Sequence, residues 1–259
     1  MNLGFQFKQF YIAHDRCAMK VGTDGVLLGA WATTNQVPLS HLPCTILDVG
    51  TGSGLVALML AQRFPQAQID AIDIDEAAVS QATDNFLASP WSDRLHACCA
   101  KLQEWKMVHD TCPNGTCYDL IVSNPPYFRN SLKNPDKGRE MARHTDTLSY
   151  DELLCHSARL LAQDGTLALI LPADTEQEVT KTAKRYSLYP VRVTRVYSKL
   201  SKPARRVLLC FTNTPSLPSD SAPGQEFPCS PFTEDTLVLE DAQGARSAAY
   251  KEITKDFYL

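Results

Sequence analysis

The sequence predicts an α/β fold in which helices cover both faces of an open, mostly parallel sheet of seven strands, with an antiparallel hairpin at its edge. Three observations predict this fold. Short, continuous apolar runs recur along the chain, as in strands that are buried on both faces. Between residues 44 and 187 these runs alternate with helical patterns. Beyond residue 190, two strand-like runs are joined by a link too short for a crossover helix.

The predicted elements follow one another in regular alternation. The first strand, CTILDVG at 44–50, ends in glycine, and the helix GLVALMLAQRF at 54–64 is rich in leucine and alanine and ends at Pro65. A second strand at 68–75 leads into a helix at 76–89, whose first turn carries acidic residues. The remaining predicted elements are strands at 95–99 and 118–124, a helix at 151–163, a strand at 166–172, a helix at 174–187 with Asp174 as its N-cap, and hairpin strands at 190–198 and 205–212.

The 259 residues are predicted to form a single domain. We divide it into an N-terminal extension at 1–40, a catalytic core at 41–212, a loop at 213–231, and a C-terminal strand and helix at 232–259. The loop contains five prolines and many small polar residues, which is typical of exposed irregular chain. Neither the oligomeric state nor the role of this loop follows from the sequence.

The composition is typical of a soluble globular protein, with 44% hydrophobic and 21% charged residues. No apolar run approaches the roughly 20 residues that span a bilayer, and the N-terminus lacks the apolar region of a signal peptide. We therefore expect a cytoplasmic protein. The nine cysteines are odd in number and form no C-x-x-C pair, which predicts reduced thiols and no metal site.

The charges are distributed unevenly although the net charge is only −4. Residues 181–206 contain nine basic residues and no acidic one, whereas residues 220–259 contain eight acids and three bases. A basic run of this length favours a polyanionic partner over an ordinary solvated face. The residues predicted to bind RNA are Arg192, Arg195, Lys199, Lys202, Arg205 and Arg206.

A glycine-rich loop, DVGTGSG at 48–54, follows the first predicted strand. Gly50, Gly52 and Gly54 allow a tight turn that brings backbone N–H groups close to a ligand. Their spacing is G-x-G-x-G and differs from the G-x-G-x-x-G of dinucleotide-binding proteins. The acid Asp48 precedes the loop, which contains Thr51 and no basic residue, so the pocket suits a ligand that carries positive charge and no phosphate. S-adenosylmethionine (SAM) has these properties.

The second predicted strand ends in an acid that suits the ribose of a nucleoside cofactor. Asp73 lies nineteen residues beyond Gly54 and can accept hydrogen bonds from both ribose hydroxyls. Asp75 is the alternative, although its position before a helix favours an N-cap. Ile74 and Leu102 are further predicted cofactor contacts. Lys101 stands where SAM enzymes usually have an acid for the adenine amino group, so backbone groups of 100–102 are expected there instead.

The segment SNPPY at 123–127 ends the fourth predicted strand. Asn-Pro is a common turn initiator, but the carboxyl end of a strand in a doubly wound sheet is where ligands bind. The oxygens of Asn124 and Pro125 can accept the two N–H bonds of an exocyclic amine or an amide and stabilise charge on its nitrogen. Pro126 stiffens the segment, and Tyr127 offers a stacking face for a planar substrate.

Taken in order, LDVGTGSG, Asp73 and SNPPY resemble the N-P-P-Y amino-methyltransferases, which act on exocyclic or amide nitrogens. The segment KQFYIAHDRCAMKVGTDGVLLGAW at 8–31 and the ending DFYL narrow the resemblance to bacterial methyltransferases that modify N6 of the adenine 3′ of the anticodon in valine tRNA. The resemblance implies a Rossmann-like class I SAM-dependent methyltransferase fold. It also implies that KVGTDG at 20–25 covers the methionine end of the cofactor through Thr23 and Asp24. An ordinary helix-capping turn is the alternative for that segment.

Two other functions remain open from the sequence. The same motif serves N5-methylation of glutamine in proteins, or methylation of another RNA base, and would then take a different acceptor. A non-catalytic RNA-binding protein with a decayed cofactor pocket is disfavoured by the intact glycines, Asp73 and Asn124. The sequence thus predicts a SAM-dependent tRNA adenine-N6 methyltransferase.

Overall fold

The computed structural model describes residues 4–17, 20–32, 43–106, 118–125, 148–214 and 232–258. The strands of these residues are β1 (Gly4–Gln6), β2 (Tyr11–Ala13), β3 (Thr45–Val49), β4 (Gln68–Asp73), β5 (Leu95–Cys99), β6 (Tyr118–Ser123), β7 (Leu161–Pro172), β8 (Tyr189–Tyr197), β9 (Arg206–Thr212) and β10 (Thr233–Val238). The helices are α1 (Thr23–Trp31), α2 (Leu55–Arg63), α3 (Glu76–Leu87), α4 (Tyr150–Leu160), α5 (Glu176–Ala183) and α6 (Ala248–Thr254).

The main sheet has the order β10–β8–β9–β7–β6–β3–β4–β5. Strands β5, β4, β3, β6 and β7 are parallel to one another, while β9 runs antiparallel between β7 and β8. The α/β fold with an antiparallel hairpin is therefore confirmed. The predicted number of strands was wrong, because the sheet has eight strands, and β10, parallel to β8, forms the edge in place of the hairpin.

The sequence signal for β10 was weak for a physical reason. Most of its side chains are exposed or half-buried, so they show no alternating pattern, and the apolar part begins only at residue 236. The strand is held by its backbone pairing with β8 and by two ion pairs, Arg192–Asp235 and Arg195–Glu234. Edge pairing and charge contacts leave little trace in a hydrophobic pattern.

The two faces of the sheet carry separate hydrophobic cores. One core contains side chains of α1, α2, α3 and α6 together with Phe7 and Ile12 from the N-terminal segment. The other contains side chains of α4 and α5 and the turn at 102–105. The segment predicted as an N-terminal extension is therefore part of the first core, since Trp31 and the other large apolar residues of α1 are fully buried.

Most element boundaries agree with the prediction to within a few residues, and the larger differences lie around α5 and at the start of β7. The predicted helix at 174–187 consists of a 3₁₀ turn at Ala173–Thr175, helix α5 and a second 3₁₀ turn at Lys184–Tyr186. Asp174 is not its N-cap, because it lies within the first turn, and Thr175 Oγ1 donates to the Pro172 carbonyl. Strand β7 also begins earlier than predicted, at Leu161, directly after α4.

Hydrogen bonds join three buried polar side chains, those of Tyr118, Asp70 and Trp105. Tyr118 Oη donates to Asp70 Oδ2 at 2.6 Å and accepts from Trp105 Nε1 at 3.0 Å. Burial raises the pKa of Tyr118, and the neighbouring carboxylate of Asp70 raises it further. Because all three side chains are almost inaccessible, each depends on the others for its hydrogen bonds.

Replacing Tyr118 by Phe should destabilise the protein by about 1–3 kcal/mol, because the carboxylate and the indole N–H lose a shared buried partner. Urea denaturation measures the change. The matched control is Tyr186→Phe, which removes a hydroxyl bonded to Asp151 in an exposed position and should change stability by less than about 0.5 kcal/mol. Equal effects of the two substitutions would contradict the role assigned to the buried group.

Candidate active site

The glycine-rich loop begins at the end of β3 and turns tightly toward the end of β4. The N–H groups of Gly50 and Thr51 both donate to the Ile72 carbonyl oxygen, at 2.8 and 3.0 Å. Gly52 has φ +55°, and a Cβ there would meet nothing within 4 Å, so this residue borders open space. Gly54 has φ +84°, and a Cβ there would lie 2.4 Å from Phe86 Cε1. The loop therefore needs glycine at 52 for its backbone and at 54 also for packing against α3.

The carboxylate of Asp73 is bonded to the same loop. Its Oδ2 accepts from Gly52 N at 2.9 Å and its Oδ1 accepts from Asp75 N at 3.1 Å. A carboxylate offers about four lone-pair positions, so both oxygens retain capacity for ribose hydroxyls. The prediction that Asp75 caps the following helix is confirmed, because its Oδ1 accepts from Ala77 N at 3.0 Å.

Asp48 is a buried carboxyl with 1% exposure at the base of the loop. Burial raises its pKa to about 7, Asp73 adds to the rise, and the hydrogen bond from Thr51 Oγ1 at 2.7 Å and one from the Ala57 N–H oppose it. An ionised carboxylate is costly in such a place unless a positive charge lies near it. The donor set at this position therefore fits a cationic ligand.

A pocket of about 370 Å³ joins the loop to two other parts of the chain. Its walls bring together these predicted site residues: Thr23, Asp24, Asp48, Gly50, Thr51, Gly52 and Asn124. The segment at 20–25 thus lies against the glycine-rich loop, and its contact with the methionine end of the cofactor stays a prediction. Thr23 and Asp24 form the first turn of α1, whose N-cap, Gly22, provides no side-chain cap.

Four predicted cofactor contacts, Gly54, Asp73, Ile74 and Leu102, are not among the lining residues of this pocket. Ile74 is 51% exposed just beyond β4, whereas Leu102 is buried in the second core. Next to Leu102, the Ala100 N–H donates to the Asp73 carbonyl at 3.0 Å and is therefore already engaged. The adenine amino group is a donor, so the carbonyls of residues 100–102 are the backbone groups that could accept from it, and this contact stays a prediction.

Asn124 follows β6 at the carboxyl edge of the sheet and is half-buried. The end of β6 is fixed to β3 because Ser123 Oγ donates to the Val49 carbonyl at 2.8 Å. Pro125 is buried directly after it. Pro126 and Tyr127 lie outside the described residues. The structure therefore places Asn124 on the wall of this pocket, and the roles of all four motif residues stay predictions.

An ion pair that the sequence did not suggest lies on the pocket wall. Arg206 Nε donates to Asp24 Oδ2 at 2.8 Å, although the two residues are 182 positions apart. Arg206 had been predicted to bind RNA. Its contact instead connects the start of β9 to the first turn of α1, and no sequence signal could have identified a partner so distant.

The basic run at 181–206 is largely neutralised by acids from elsewhere in the chain. Arg192 is only 5% exposed, with its guanidinium 4.6 Å from the Trp31 ring centroid and paired with Asp235. Arg195 is bound by Glu176 at 2.6 Å and by Glu234, and both acids raise its pKa. Lys199 lies 3.8 Å from Glu240.

Two of the predicted RNA-binding residues remain on the surface. Lys202 and Arg205 are exposed in the connection between β8 and β9. Pro172, the last residue of β7, pairs with Arg206, so this connection lies at the carboxyl edge of the parallel strands. Asn124 lies at the same edge. The buried position of Arg192 disagrees with a direct RNA contact, whereas Lys202 and Arg205 are placed to make one.

Within the described ranges, no three or more His, Cys, Asp or Glu side chains are grouped as metal ligands would be. Cys112, Cys117 and Cys229 lie outside those ranges. Of the helices in the described part of the chain, none has the length and apolar character needed to cross a membrane.

Comparisons with known proteins show the family of this chain. The methyltransferase small domain family matches residues 33–186. A tRNA1(Val) (adenine(37)-N6)-methyltransferase of Bacteroides thetaiotaomicron is 44% identical over 256 residues, which cover 98% of this chain and 97% of the relative. A protein of the same name from Serratia proteamaculans is 41% identical over 257 residues, covering 99% of this chain and 90% of the relative.

Among solved structures, the crystal structure of a predicted O-methyltransferase from Agrobacterium tumefaciens aligns with a TM-score of 0.61. It is 15% identical and the alignment covers 90% of this chain and 96% of that one, so this likeness shows the fold alone. The fold is the Rossmann-like fold of SAM-dependent methyltransferases. From the family match and from identities above 40% over nearly the whole length, we conclude that the chain belongs to the tRNA1(Val) (adenine(37)-N6)-methyltransferase family.

Proposed function

We propose that this protein transfers a methyl group from SAM to N6 of adenine 37 in valine tRNA. The observation that carries the proposal is the common pocket of Asp48, the glycine-rich loop and Asn124. It places an acceptor for an exocyclic amine beside a site suited to a cation. The relatives named for the same reaction support the choice of adenine 37 over other acceptors. Because tRNA is the substrate, we take the cytoplasm as the place of action.

The cofactor, when bound, supplies an electrophilic methyl on a sulfonium. The protein's residues then have two tasks. Asp48 and the loop, which borders open space at Gly50 and Gly52, hold the cofactor, with Asp73 on its ribose; the N–H groups of residues 50, 51, 52 and 54 already donate within the protein. The oxygens of Asn124 and Pro125 accept the two N–H bonds of the adenine amine, which orients its lone pair and stabilises positive charge as the new N–C bond forms. The excess proton leaves the methylated amine to water.

The substrate assignment is tested with radiolabelled SAM and tRNA from cells that lack the gene. We expect label that nuclease removes and that maps to adenine 37 of valine tRNA. Label that protease removes and nuclease leaves would favour glutamine methylation instead. Absence of SAM binding by calorimetry would favour the non-catalytic alternative.

Replacing Asn124 by Ala should lower kcat by at least about a hundredfold, because the amine loses an acceptor that strengthens as charge develops. Single-turnover methyl transfer measures the change. Calorimetric SAM affinity should stay within the same order of magnitude, which separates a catalytic effect from a damaged pocket. An Asn124→Ala protein with wild-type turnover would refute the role given to this residue.

The affinity for SAM should rise with pH up to about 7, since the raised pKa of Asp48 leaves its carboxyl increasingly protonated below that value and only the carboxylate attracts a cation. Calorimetry between pH 5.5 and 8.5 measures this. Asp48→Asn should bind SAM more weakly and flatten the rise. S-adenosylhomocysteine, with the same amino group and a neutral sulfur, is the matched ligand and should show a smaller dependence. If SAM affinity changed with pH in the same way in wild type and in Asp48→Asn, the role assigned to the Asp48 carboxylate would be wrong.

The same raised pKa has a consequence for stability. The contribution of Asp48 to the free energy of unfolding is fully present below its ordinary pKa of 3.8 and is lost as pH rises through about 7. In the cofactor-free protein, Asp48→Asn should therefore gain stability relative to wild type between pH 5 and 8. Thermal unfolding across that range measures the difference, and a difference independent of pH would be inconsistent with the burial of a titrating carboxyl.

The basic residues should separate into two classes. Lys202→Glu with Arg205→Glu should weaken tRNA binding, reduce its salt dependence by about one to two phosphate contacts and leave SAM affinity unchanged. Arg206→Glu should weaken SAM binding, because it places a like charge beside Asp24 on the pocket wall. Fluorescence anisotropy with tRNA and calorimetry with SAM measure the two effects. If Arg206→Glu affected tRNA alone, the structural role of its ion pair would be wrong.

A further inference from the structure

A second groove, separate from the cofactor pocket, lies between the two ends of the chain. Its volume is about 950 Å³, and it is lined by residues of the β1–β2 hairpin and by residues 246–258, including α6. We call it the terminal groove. Nothing in the proposed reaction uses it, so its lining requires a separate explanation.

The charge of the terminal groove has one sign. Arg246, Lys251 and Lys255 line it, and no Asp or Glu is among the lining residues. Lys255 is paired with Glu252 at its rim. Within the part of the chain that the structure describes, Arg246 and Lys251 are exposed, and neither has a carboxylate at ion-pair distance. This differs from the basic run at 181–206, where acids neutralise most of the arginines.

Aromatic rings accompany these cations. The Arg246 guanidinium lies 4.6 Å from the Tyr250 ring centroid, and the hydroxyls of Tyr250 and Tyr258 are 3.2 Å apart. Tyr11, on the hairpin side, is 47% exposed and presents its ring to solvent. Tyr250 is only 2% exposed and packs against the Arg246 guanidinium, so Tyr11 offers the ring face for a base or ribose, while the cations contact phosphates.

Two contacts connect the terminal groove to the active-site edge. Asn85 Nδ2 donates to the carbonyls of Ala13, in the hairpin, and Ser53, in the glycine-rich loop, both at 2.8 Å. On the other side, Lys199 pairs with Glu240, whose backbone bridges that of Arg246. Hydrogen bonds through Asn85 therefore link the hairpin that lines the terminal groove to the glycine-rich loop, and the backbone bridge at Arg246 with the Lys199–Glu240 pair links the other side of the groove to the β8–β9 connection.

We propose that the terminal groove binds a sugar–phosphate segment of tRNA away from the methylated adenine. This inference rests on the proposed function for the identity of the polyanion. The groove supplies the uncompensated positive charge that the basic run, once folded, mostly lacks. A substrate bound at both places would be fixed in orientation by contacts on either side of the catalytic edge.

The test reverses the charges that have no carboxylate partner. Arg246→Glu with Lys251→Glu should weaken binding of unmodified valine tRNA by about tenfold or more, and lower its salt slope by about one to two. Fluorescence anisotropy across a salt series measures both. The matched control is Lys181→Glu with Lys184→Glu, which changes the net charge equally on α5 and the turn after it, packed on the opposite face of the sheet. It should leave tRNA binding near the wild-type value.

A conservative pair separates charge from packing. The double variant Arg246→Lys with Lys251→Arg keeps both charges and should retain tRNA affinity. If the groove matters only for folding, this variant and the charge-reversed variant would both lose tRNA affinity and both have a lower melting temperature. Equal weakening by the groove and control reversals, or none by the groove reversal, would overturn the proposal.

The outcome is distinguishable from failure of the proposed function. If wild-type protein transfers no methyl group to tRNA, the proposed function fails. If it transfers methyl groups and the groove reversal leaves both KM for tRNA and binding unchanged, only the groove proposal fails. SAM affinity should be the same in all of these variants, because none of the substituted residues lines the cofactor pocket.

Discussion

The pairing of β3 with β4 on one side and β6 on the other determines where the active site lies. Asp48, Asp73 and Asn124 are far apart in the chain, yet their three strands end at the same edge of the sheet. Hydrogen bonds from the loop to Ile72 and Asp73 fix the turn after β3, and the Ser123–Val49 bond fixes the end of β6. Without this strand register, Asp48 and the glycine-rich loop would not lie beside Asn124 in one pocket.

The same arrangement explains why a buried acid is retained at the base of the pocket. A carboxyl at position 48 destabilises the empty protein when it ionises, because almost no water reaches it. That cost becomes useful when a positively charged ligand occupies the pocket, since the attraction is little screened there. If SAM occupies the pocket as proposed, its positive charge relieves this unfavourable interaction.

Electrostatic contacts between distant segments shape the outer part of the sheet. The C-terminal acids Glu234, Asp235 and Glu240 pair with basic residues of β8 and its connection, which holds β10 at the sheet edge. The uneven charge distribution in the sequence is therefore explained mainly by ion pairs that form when β8 and the C-terminal segment come together. Positive charge remains at the β8–β9 connection and in the terminal groove, on surfaces that could not be located from the linear order of residues.

The sequence by itself determined the elements and the chemistry of the central site. Apolar runs, glycines with required backbone angles and residues at strand ends are local signals, so β3 to β9, the loop at 48–54, Asp73 and Asn124 were predictable to within a few residues. Tertiary structure alone decided which charges stay exposed, that Arg206 pairs with Asp24, and that β10 adds an eighth strand. Those outcomes depend on contacts between residues far apart in the chain, and long-range contacts have no periodic signature in the sequence.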